Sequence, residues 1–227
     1  SKSEMSSDGT QRTIRYTYPS DHSGQYRWMI DRHIMSPVVT AEVSSGTLRR
    51  TARNTYSSNE SHNGPICYLS KIETLFGTDG TGKTDYEALS VDEWGNPTEI
   101  VENGVHSVLQ WCGNGQRLMT RIEGITLEEY EALPELSDEA RQQSDDFIVH
   151  PFIPDPVKRS VGGKLVWDYA YDTSLRLIQV MMPDELIFRY GYDALGRLSE
   201  ESIFETDNDG NVGKKIVRKY SYHYHND

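Results

Sequence analysis

The sequence predicts an all-β protein in which antiparallel β-hairpins form a meandering, curved and partly open sheet. Apolar and aromatic residues alternate with a period of two in many segments. Turn residues separate these segments at intervals of roughly 10–20 residues, as in a chain of hairpins. The composition agrees, because the chain carries 14 Tyr and 4 Trp, whose amphipathic rings suit a sheet with two different faces.

The chain is predicted to form a single domain. Its 227 residues are enough to bury a substantial core. No convincing linker marks a boundary, so we expect one β domain over residues 13–227. Residues 1–12 are expected to form a disordered leader, since the first nine are mostly small and polar.

The first half of the chain is predicted to form strands interrupted by one short helix. Ile14, Tyr16 and Tyr18 share one face of a strand over residues 13–18. A helix is expected near residues 24–35, where apolar residues recur at intervals of three and four. Further strands are predicted at residues 38–43, 48–56, 66–76 and 86–91.

The second half contains the clearest hairpin turn and a helical insertion. Asn103-Gly104 favours a type I′ turn between two strands. A helical stretch is predicted at residues 126–143, because Thr126 and Glu129 form a capping box at its start. The whole insertion extends over residues 126–156. Hairpins then resume, with turns predicted at residues 162–163, 183–184, 196 and 209–210.

The most specific pattern is Tyr-Gly-Tyr-Asp-Ala-Leu-Gly-Arg-Leu at residues 190–198. It predicts a strand, a tight turn and a second strand. The carboxylate of Asp193 can accept nearby backbone N–H groups, and Gly196 can adopt the positive φ that closes the turn. Residues 169–177 repeat the pattern without the turn glycine, and residues 91–97 repeat it with Val91 in place of a tyrosine.

This pattern, Tyr-x-Tyr-Asp-x-x-Gly-Arg-Leu, resembles the Rhs/YD-repeat family. Residues 15–19, 35–39 and 108–116 also resemble blocks of large secreted YD-repeat proteins of Gram-negative bacteria. The resemblance implies a secreted or cell-surface location on the extracellular side of such a bacterium. It also implies that repeats coil into a long β-sheet that winds into a hollow shell, often around a C-terminal toxin or effector. The family's Pro-rich, Asp-containing self-cleavage stretch has no counterpart here.

We therefore expect a non-enzymatic structural segment that contributes to a β-sheet shell or scaffold. Its partners would be neighbouring repeats of a parent chain and, further, a surface glycan or an encapsulated effector. The residues expected to carry the repeat structure are Tyr190, Tyr192, Asp193, Gly196, Arg197 and Leu198.

The alternative is a carbohydrate- or protein-binding surface module that uses exposed rows of Tyr and Trp. The candidate ligand-stacking residues are Tyr190, Tyr192, Tyr220 and Tyr222. Such rows can stack on sugar rings, but they can also pack across strands within a sheet. Burial of the rings would favour the scaffold, and a contiguous exposed patch would favour binding.

A phosphate-binding motif also occurs in the sequence. Residues 77–84 match G-x-x-x-x-G-K-[ST]. That loop binds phosphate only between a buried parallel strand and a helix, and the next turn at Gly95 follows too soon for such a helix. A glycine-rich hairpin tip is the alternative, and it fits the strands on either side.

The remaining candidates for chemistry are weak. Residues 207–211 begin like a calcium loop but lack the later ligands, and His223 and His225 form one isolated pair. No catalytic, cofactor-binding or metal-binding residue is predicted. The net charge of −12 argues against nucleic acid, and no apolar run approaches the ~20 residues of a membrane span. Cys67 and Cys112 either pair or remain free thiols.

Overall fold

The computed structural model describes residues 2–5, 11–61, 64–77, 80–112, 115–133, 164–183, 186–206 and 212–222. The chain divides into two compact units, Ser1–His106 and Ser107–Asp227. Both are built from antiparallel strands joined in chain order, so the predicted all-β class and hairpin meander are confirmed. No described helix is long and apolar enough to cross a membrane.

The first unit is a meander in which each strand pairs with the next one along the chain. Its strands are β1 (Lys2–Met5), β2 (Gln11–Thr17), β3 (Thr40–Ser45), β4 (Leu48–Ser61), β5 (Gly64–Phe76), β6 (Thr81–Val91) and β7 (Pro97–Glu102). The predicted strands are confirmed, and β4 and β5 form a longer hairpin than the sequence pattern indicated. β1 lies within the segment expected to be a disordered leader and pairs with β2, Lys2 standing opposite Ile14.

A short helical segment packs on this unit and gives it a core. A 3-10 helix (Pro19–His22) is followed by α1 (Arg27–Asp31). The buried cluster consists of Tyr26, Met29 and Val39, with Trp28, Ile34, Tyr56 and Cys67 packed against it. The helix predicted near residues 24–35 is confirmed but shorter. It ends because His33 adopts a left-handed φ of 59° and the Ile34 N–H donates to the Met29 carbonyl.

The second unit is also a meander. β8 (Val105–Trp111) enters it at Ser107 and is followed by β9 (Leu118–Glu123), β10 (Leu165–Tyr171), β11 (Leu177–Met181), β12 (Leu186–Tyr192), β13 (Leu198–Thr206) and β14 (Val212–Lys219). The β7–β8 turn has positive φ at Asn103 (50°) and Gly104 (84°), as the predicted type I′ turn requires.

The predicted helical insertion begins as α2 (Leu127–Glu131). Its capping box forms as expected: the Glu129 N–H donates to Thr126 Oγ1 at 3.2 Å, and the Thr126 N–H donates to Glu129 Oε2 at 2.9 Å. The helix covers a cluster of Val108, Ile122, Ile125, Tyr130 and Val166. The rest of the predicted insertion, from residue 134 onward, lies outside the described residues, as do the turns predicted at 162–163 and 209–210.

Candidate functional site

The turn predicted at Asp193 forms, and its carboxylate organises it. Oδ1 of Asp193 accepts the N–H groups of Leu195 and Arg197, each at 2.9 Å. The Asp193 N–H donates to the Arg197 carbonyl at 2.8 Å, and the Gly196 N–H donates to the Asp193 carbonyl at 2.9 Å. Gly196 has a φ of 78°. The loop is therefore a three-residue hairpin whose last residue is left-handed.

The side chain of Arg197 also binds Asp193 within the same turn. Its Nε donates to Asp193 Oδ2 at 2.7 Å, and its Nη2 lies 2.7 Å from the same oxygen. The Arg197 backbone N–H and then its guanidinium lower the pKa of Asp193. The aspartate is consequently an anion at neutral pH, which is the state that accepts these bonds.

The two partial copies form the same turn with substitutions. Asp172 accepts the N–H groups of Ser174 and Arg176 at 2.8 and 2.9 Å, and Arg176 Nε at 2.8 Å. Burial raises the pKa of Asp172, but the bonds from Arg176 and Ser174 outweigh it and the pKa is lowered. Leu175 occupies the glycine position with a φ of 62°. The same turn therefore forms at this copy, but Leu175 must adopt a left-handed backbone conformation that is strained for a residue with a Cβ atom.

In the copy at residues 91–97, which comes first along the chain, Asp92 accepts the N–H groups of Trp94 and Asn96 at 2.9 and 2.8 Å. Gly95 takes the left-handed position with a φ of 80°. Asn96 stands where the other turns have arginine, and its amide donates to Asp92 Oδ2 at 3.0 Å. This turn therefore keeps the aspartate network and replaces the arginine with a shorter, uncharged donor.

A further repeat turn lies at residues 112–117, and the sequence pattern did not reveal it as one. Cys112 takes the aspartate position: the Arg117 N–H donates to its Sγ at 3.2 Å, and the Cys112 N–H donates to the Arg117 carbonyl at 2.9 Å. Gly115 is left-handed, with a φ of 65°. A turn at Asn114-Gly115 was predicted from the sequence, but its equivalence to the aspartate turns was not, because a thiol replaces the carboxylate and Gln116 lengthens the loop by one residue. The arginine and leucine at 117–118 were the available signal.

Every one of these turns has a β-bulge on its returning strand. Trp111 stands opposite Leu118, Tyr171 opposite Leu177 and Tyr192 opposite Leu198, while the preceding pairs skip one residue. The same irregularity occurs at the Asp92 turn, where Val91 stands opposite Pro97. The skipped residues are Thr98, Met119, Ile178 and Ser199. A bulge at a fixed place in each repeat bends and twists the strand that follows the turn.

The second unit connects successive turns through a contact that we call an Arg–Tyr rung. In each rung the arginine of one turn lies over the ring of a tyrosine further along the chain. Tyr171 and Tyr192 directly precede the next turn, and Tyr222 follows the last described strand. The distances from the guanidinium carbon to the ring centroid are 5.9, 4.7 and 4.3 Å. The three rungs are Arg117–Tyr171, Arg176–Tyr192 and Arg197–Tyr222. These distances are within the range of a cation–π interaction.

The tyrosine hydroxyl completes each rung by donating to the carbonyl of the leucine that follows the arginine. Tyr171 donates to Leu118 at 3.0 Å, Tyr192 to Leu177 at 2.8 Å and Tyr222 to Leu198 at 2.8 Å. Burial raises the pKa of Tyr171 to about 12, against the opposing effect of Arg117, and burial likewise raises the pKa of Tyr192. Tyr171 and Tyr192 therefore keep the proton that they donate.

The tyrosines considered for ligand stacking differ in their surroundings. Tyr192 and Tyr222 belong to rungs, so an arginine occupies one face of each ring. Tyr190 is half-buried, and burial and Glu201 raise its pKa. Tyr220 is 40% exposed and Tyr222 46%, and the Tyr220 hydroxyl donates to Glu201 Oε2 at 3.1 Å. Stacking of a ligand on these four rings stays a prediction.

The glycine-rich segment at residues 77–84 connects two antiparallel strands, as its hairpin interpretation predicted. Lys83 stands opposite Thr74 and Thr84 opposite Glu73 within the β5–β6 pair. Lys83 Nζ lies 2.7 Å from Asp85 Oδ1 and donates to Asn103 Oδ1 at 3.2 Å. Lys83 therefore lies in a strand and forms an ion pair with Asp85. A phosphate-binding loop would instead require the N-terminus of a helix at this position.

No group of three or more potential metal ligands occurs among the described residues. The stretch at 207–211 and the pair His223 and His225 lie outside them. Cys67 and Cys112 are free thiols, and Cys112 is buried. Burial raises the pKa of Cys67 despite the opposing charge of Arg32, so its thiol is protonated at neutral pH.

Comparison with known proteins does not assign this chain to a family. No protein-family model and no curated protein matches this chain. Among solved structures, TcdB2-TccC3 without its hypervariable C-terminal region matches with a TM-score of 0.35 and 11% identity, covering 97% of this chain and 12% of that chain. TcdB2-TccC3-Cdc42 matches with a TM-score of 0.36 and 11% identity, covering 97% of this chain and 13% of the other. At these scores the likeness carries no argument about this chain.

Proposed function

We propose that this chain is a non-enzymatic structural segment of a secreted or cell-surface YD-repeat (Rhs-like) protein. Its hairpins would form part of a β-sheet scaffold or shell wall, with neighbouring repeats of the parent chain as its first partners. The observation that carries this proposal is the Arg–Tyr rung, which recurs at Arg117, Arg176 and Arg197 with a guanidinium over the ring and a hydroxyl bond to a leucine carbonyl each time.

The rungs support a scaffold because two of them, Arg117–Tyr171 and Arg176–Tyr192, each join a turn to its successor. A guanidinium that is bonded to its own aspartate also covers the next tyrosine, as at Asp172, Arg176 and Tyr192. In a repeat protein, stability is close to a sum of repeat terms and nearest-neighbour terms. The rungs supply stabilising contacts between neighbouring repeats, and an extended sheet built from repeats depends on such contacts.

Hydrogen exchange read by mass spectrometry tests the coupling. We expect Arg176→Ala to reduce amide protection in the strands that carry Tyr192 as well as in its own turn. Arg27→Ala is the matched control, because that side chain is 73% exposed and forms a surface ion pair with Asp31 four residues away. Loss of protection confined to residues 172–176 would show that the rungs do not couple repeats, and the scaffold proposal would lose its support.

A carbohydrate- or protein-binding module is the second candidate, since Tyr220 and Tyr222 are 40% and 46% exposed. A partner in this case would be a surface glycan or an enclosed effector. A thermal-shift screen against surface polysaccharides, Mg-ATP, calcium and zinc separates the two, because a ligand that binds the native state raises the melting temperature. The scaffold proposal expects no shift. A shift with one glycan that is lost in Tyr220→Ala would favour the binding module.

A further inference from the structure

Arg189 lies on β12, an inner strand of the second unit, between two buried and uncharged side chains. It stands opposite Gln179 of β11 and Ser202 of β13. Gln179 and Ser202 are each 4% exposed, and Arg189 is half-buried. Residues directly opposite each other on antiparallel strands point to the same face, so these three side chains form one row across the sheet. The positive charge of Arg189 therefore has no negative charge beside it in its own row.

Two contacts fix the orientation of the Arg189 guanidinium. Its Nε donates to Gln179 Oε1 at 2.9 Å, and its central carbon lies 4.9 Å from the centroid of the Phe204 ring. The ring covers one face of the guanidinium at a distance typical of a cation–π interaction. Gln179 occupies Nε, so the remaining N–H donors are those of Nη1 and Nη2. This Nη edge is the part of Arg189 that can bind a further group.

Arg189 differs from the arginines of the repeat turns because its Nε binds a neutral group. Arg176 Nε donates to Asp172 Oδ2 at 2.8 Å, and Arg197 Nε donates to Asp193 Oδ2 at 2.7 Å. Arg189 makes the same kind of bond to an amide oxygen. Within the described part of the chain, no carboxylate lies at ion-pair distance from Arg189. The amide therefore orients this guanidinium without neutralising it.

Two acidic residues point to the same face in neighbouring rows, and both bind other groups. Asp168 Oδ1 accepts the Thr120 hydroxyl at 2.9 Å. Glu200 Oε1 accepts the Ser202 hydroxyl at 2.8 Å, and Glu200 Oε2 lies 3.8 Å from Lys219 Nζ. Arg189 is consequently a cation that is partly shielded from water and has no anionic partner among the described residues. Such an environment favours the binding of an external anion.

The surroundings of the Nη edge favour a carboxylate that is attached to an apolar group. The N–H groups of Nη1 and Nη2 match the two oxygens of a planar carboxylate. Met181, Ile187 and Phe204 form an apolar row next to Arg189 on the same face, because Met181 stands opposite Ile187 and Ile187 opposite Phe204. The net charge of −12 opposes the approach of a polyanion more than that of a singly charged ligand.

We propose that the Nη edge of Arg189, oriented by Gln179 and Phe204, binds the carboxylate of an apolar ligand. A free organic acid and a glutamate flanked by apolar residues in a peptide both offer this chemistry. The ion pair supplies the selectivity for a carboxylate, and Met181 and Phe204 contact the apolar part of the ligand. The inference goes beyond the scaffold function, because it assigns to one face of the sheet a ligand that the rungs do not require.

The first probe is phenylacetate, titrated into the isotope-labelled full chain at a constant ionic strength of about 0.1 M. Binding is read by NMR from the backbone amide signals of Gln179, Arg189 and Phe204. We expect a saturable shift with half-saturation at about 1–10 mM, as for a ligand of this size. Phenylacetamide has the same shape without the charge, and it should bind about tenfold more weakly or worse. Inorganic phosphate should also bind more weakly than phenylacetate, since it lacks the apolar group.

Two variants test the roles of the amide and the guanidinium. Gln179→Glu places a carboxylate against Nε and neutralises Arg189 from within the chain, so phenylacetate binding should fall about tenfold or more. Arg189→Lys keeps the charge but loses the planar pair of donors, and a loss of about tenfold is again expected. Arg121→Lys is the matched control, because Arg121 lies on the opposite face and 2.9 Å from Glu123, and it should bind as the unaltered chain does. Circular dichroism confirms that the variants fold.

The second probe, acetyl-Leu-Glu-Leu-amide, identifies the source of the carboxylate. Tighter binding of this peptide indicates an acidic protein segment, tighter binding of phenylacetate indicates a free acid, and either order supports the site. Three results would overturn the inference: no saturable shift with either probe at about 50 mM, equal binding of phenylacetamide or phosphate, or equal binding by a folded Gln179→Glu or Arg189→Lys chain. These variants leave Arg176 and Tyr192 in place, so failure here is distinct from failure of the scaffold proposal.

Discussion

Replacing Arg176 tests the rung most directly, because this residue takes part in two interactions at once. Its Nη2 lies 2.7 Å from Asp172 Oδ2, and its guanidinium carbon lies 4.7 Å from the centroid of the Tyr192 ring. Arg176→Ala removes both and leaves the backbone bonds of the Asp172 turn intact. We therefore expect a loss of stability without a change of fold.

The size of the loss follows from the exposure of the side chain. Arg176 is 36% exposed, so its ion pair with Asp172 is screened and contributes about 0.5–1 kcal/mol. Stacking on Tyr192 at a partly exposed site contributes about 0.5–1 kcal/mol more. The free energy of unfolding should fall by about 1–2 kcal/mol in total.

Urea unfolding followed by far-UV circular dichroism measures this, and a double-mutant cycle isolates the stacking. The cycle combines Arg176→Ala with Tyr192→Leu, and we expect a coupling energy of about 0.5–1 kcal/mol. Arg27→Ala is the control and should cost less than about 0.5 kcal/mol. A coupling energy of zero, or equal losses in the two arginine variants, would refute the rung as a stabilising contact.

Three further results are expected. Folding lowers the pKa of Asp193, so its contribution is complete above the unfolded value of about 3.9 and is lost as pH falls through the lower folded value; Asp193→Asn should lower the melting temperature at pH 7 and flatten its fall between about pH 5 and 2. Gly196→Ala should cost about 1–2 kcal/mol because φ is 78°, whereas Leu175→Gly, at a φ of 62°, should be neutral or stabilise the chain by up to about 1 kcal/mol; a melting curve that orders them the other way would contradict this. Mg-ATP should not shift the melting temperature of the unaltered chain, and a shift that Lys83→Ala abolishes would restore nucleotide binding.

The parts of this protein that the sequence predicted are local in the chain. The Asp193 turn, the Asn103-Gly104 turn and the capping box at Thr126 each depend on residues within four positions of one another. Their side-chain chemistry fixes the backbone without help from distant residues. The β1 strand escaped prediction because its sequence, Lys-Ser-Glu-Met, has no period-two pattern, and strand pairing uses the backbone alone.

The rungs escaped prediction because they join residues whose separation differs each time. Arg176 and Tyr192 are separated by one hairpin, whereas Arg117 and Tyr171 are separated by α2 and the insertion that follows it. A pattern search within one repeat contains the arginine and the tyrosine but gives no reason to pair them across repeats. Cys112 was missed for a different reason, since no propensity argument makes a thiol equivalent to an aspartate.

The bulge explains why the repeat needs a tyrosine and not merely an aromatic ring. Strand pairing ends at Asp168–Thr120, Arg189–Gln179 and Lys219–Glu200, in each case next to the skipped residue of the bulge. The leucine carbonyl two residues further along then lacks a strand partner from that ladder, and an unpaired backbone carbonyl costs free energy when it is shielded from water. The tyrosine hydroxyl donates to that carbonyl in all three rungs. Phenylalanine would keep the stacking on arginine and lose this bond. The tyrosine and the arginine together therefore bridge the point beside the bulge where the backbone pairing of two strands ends.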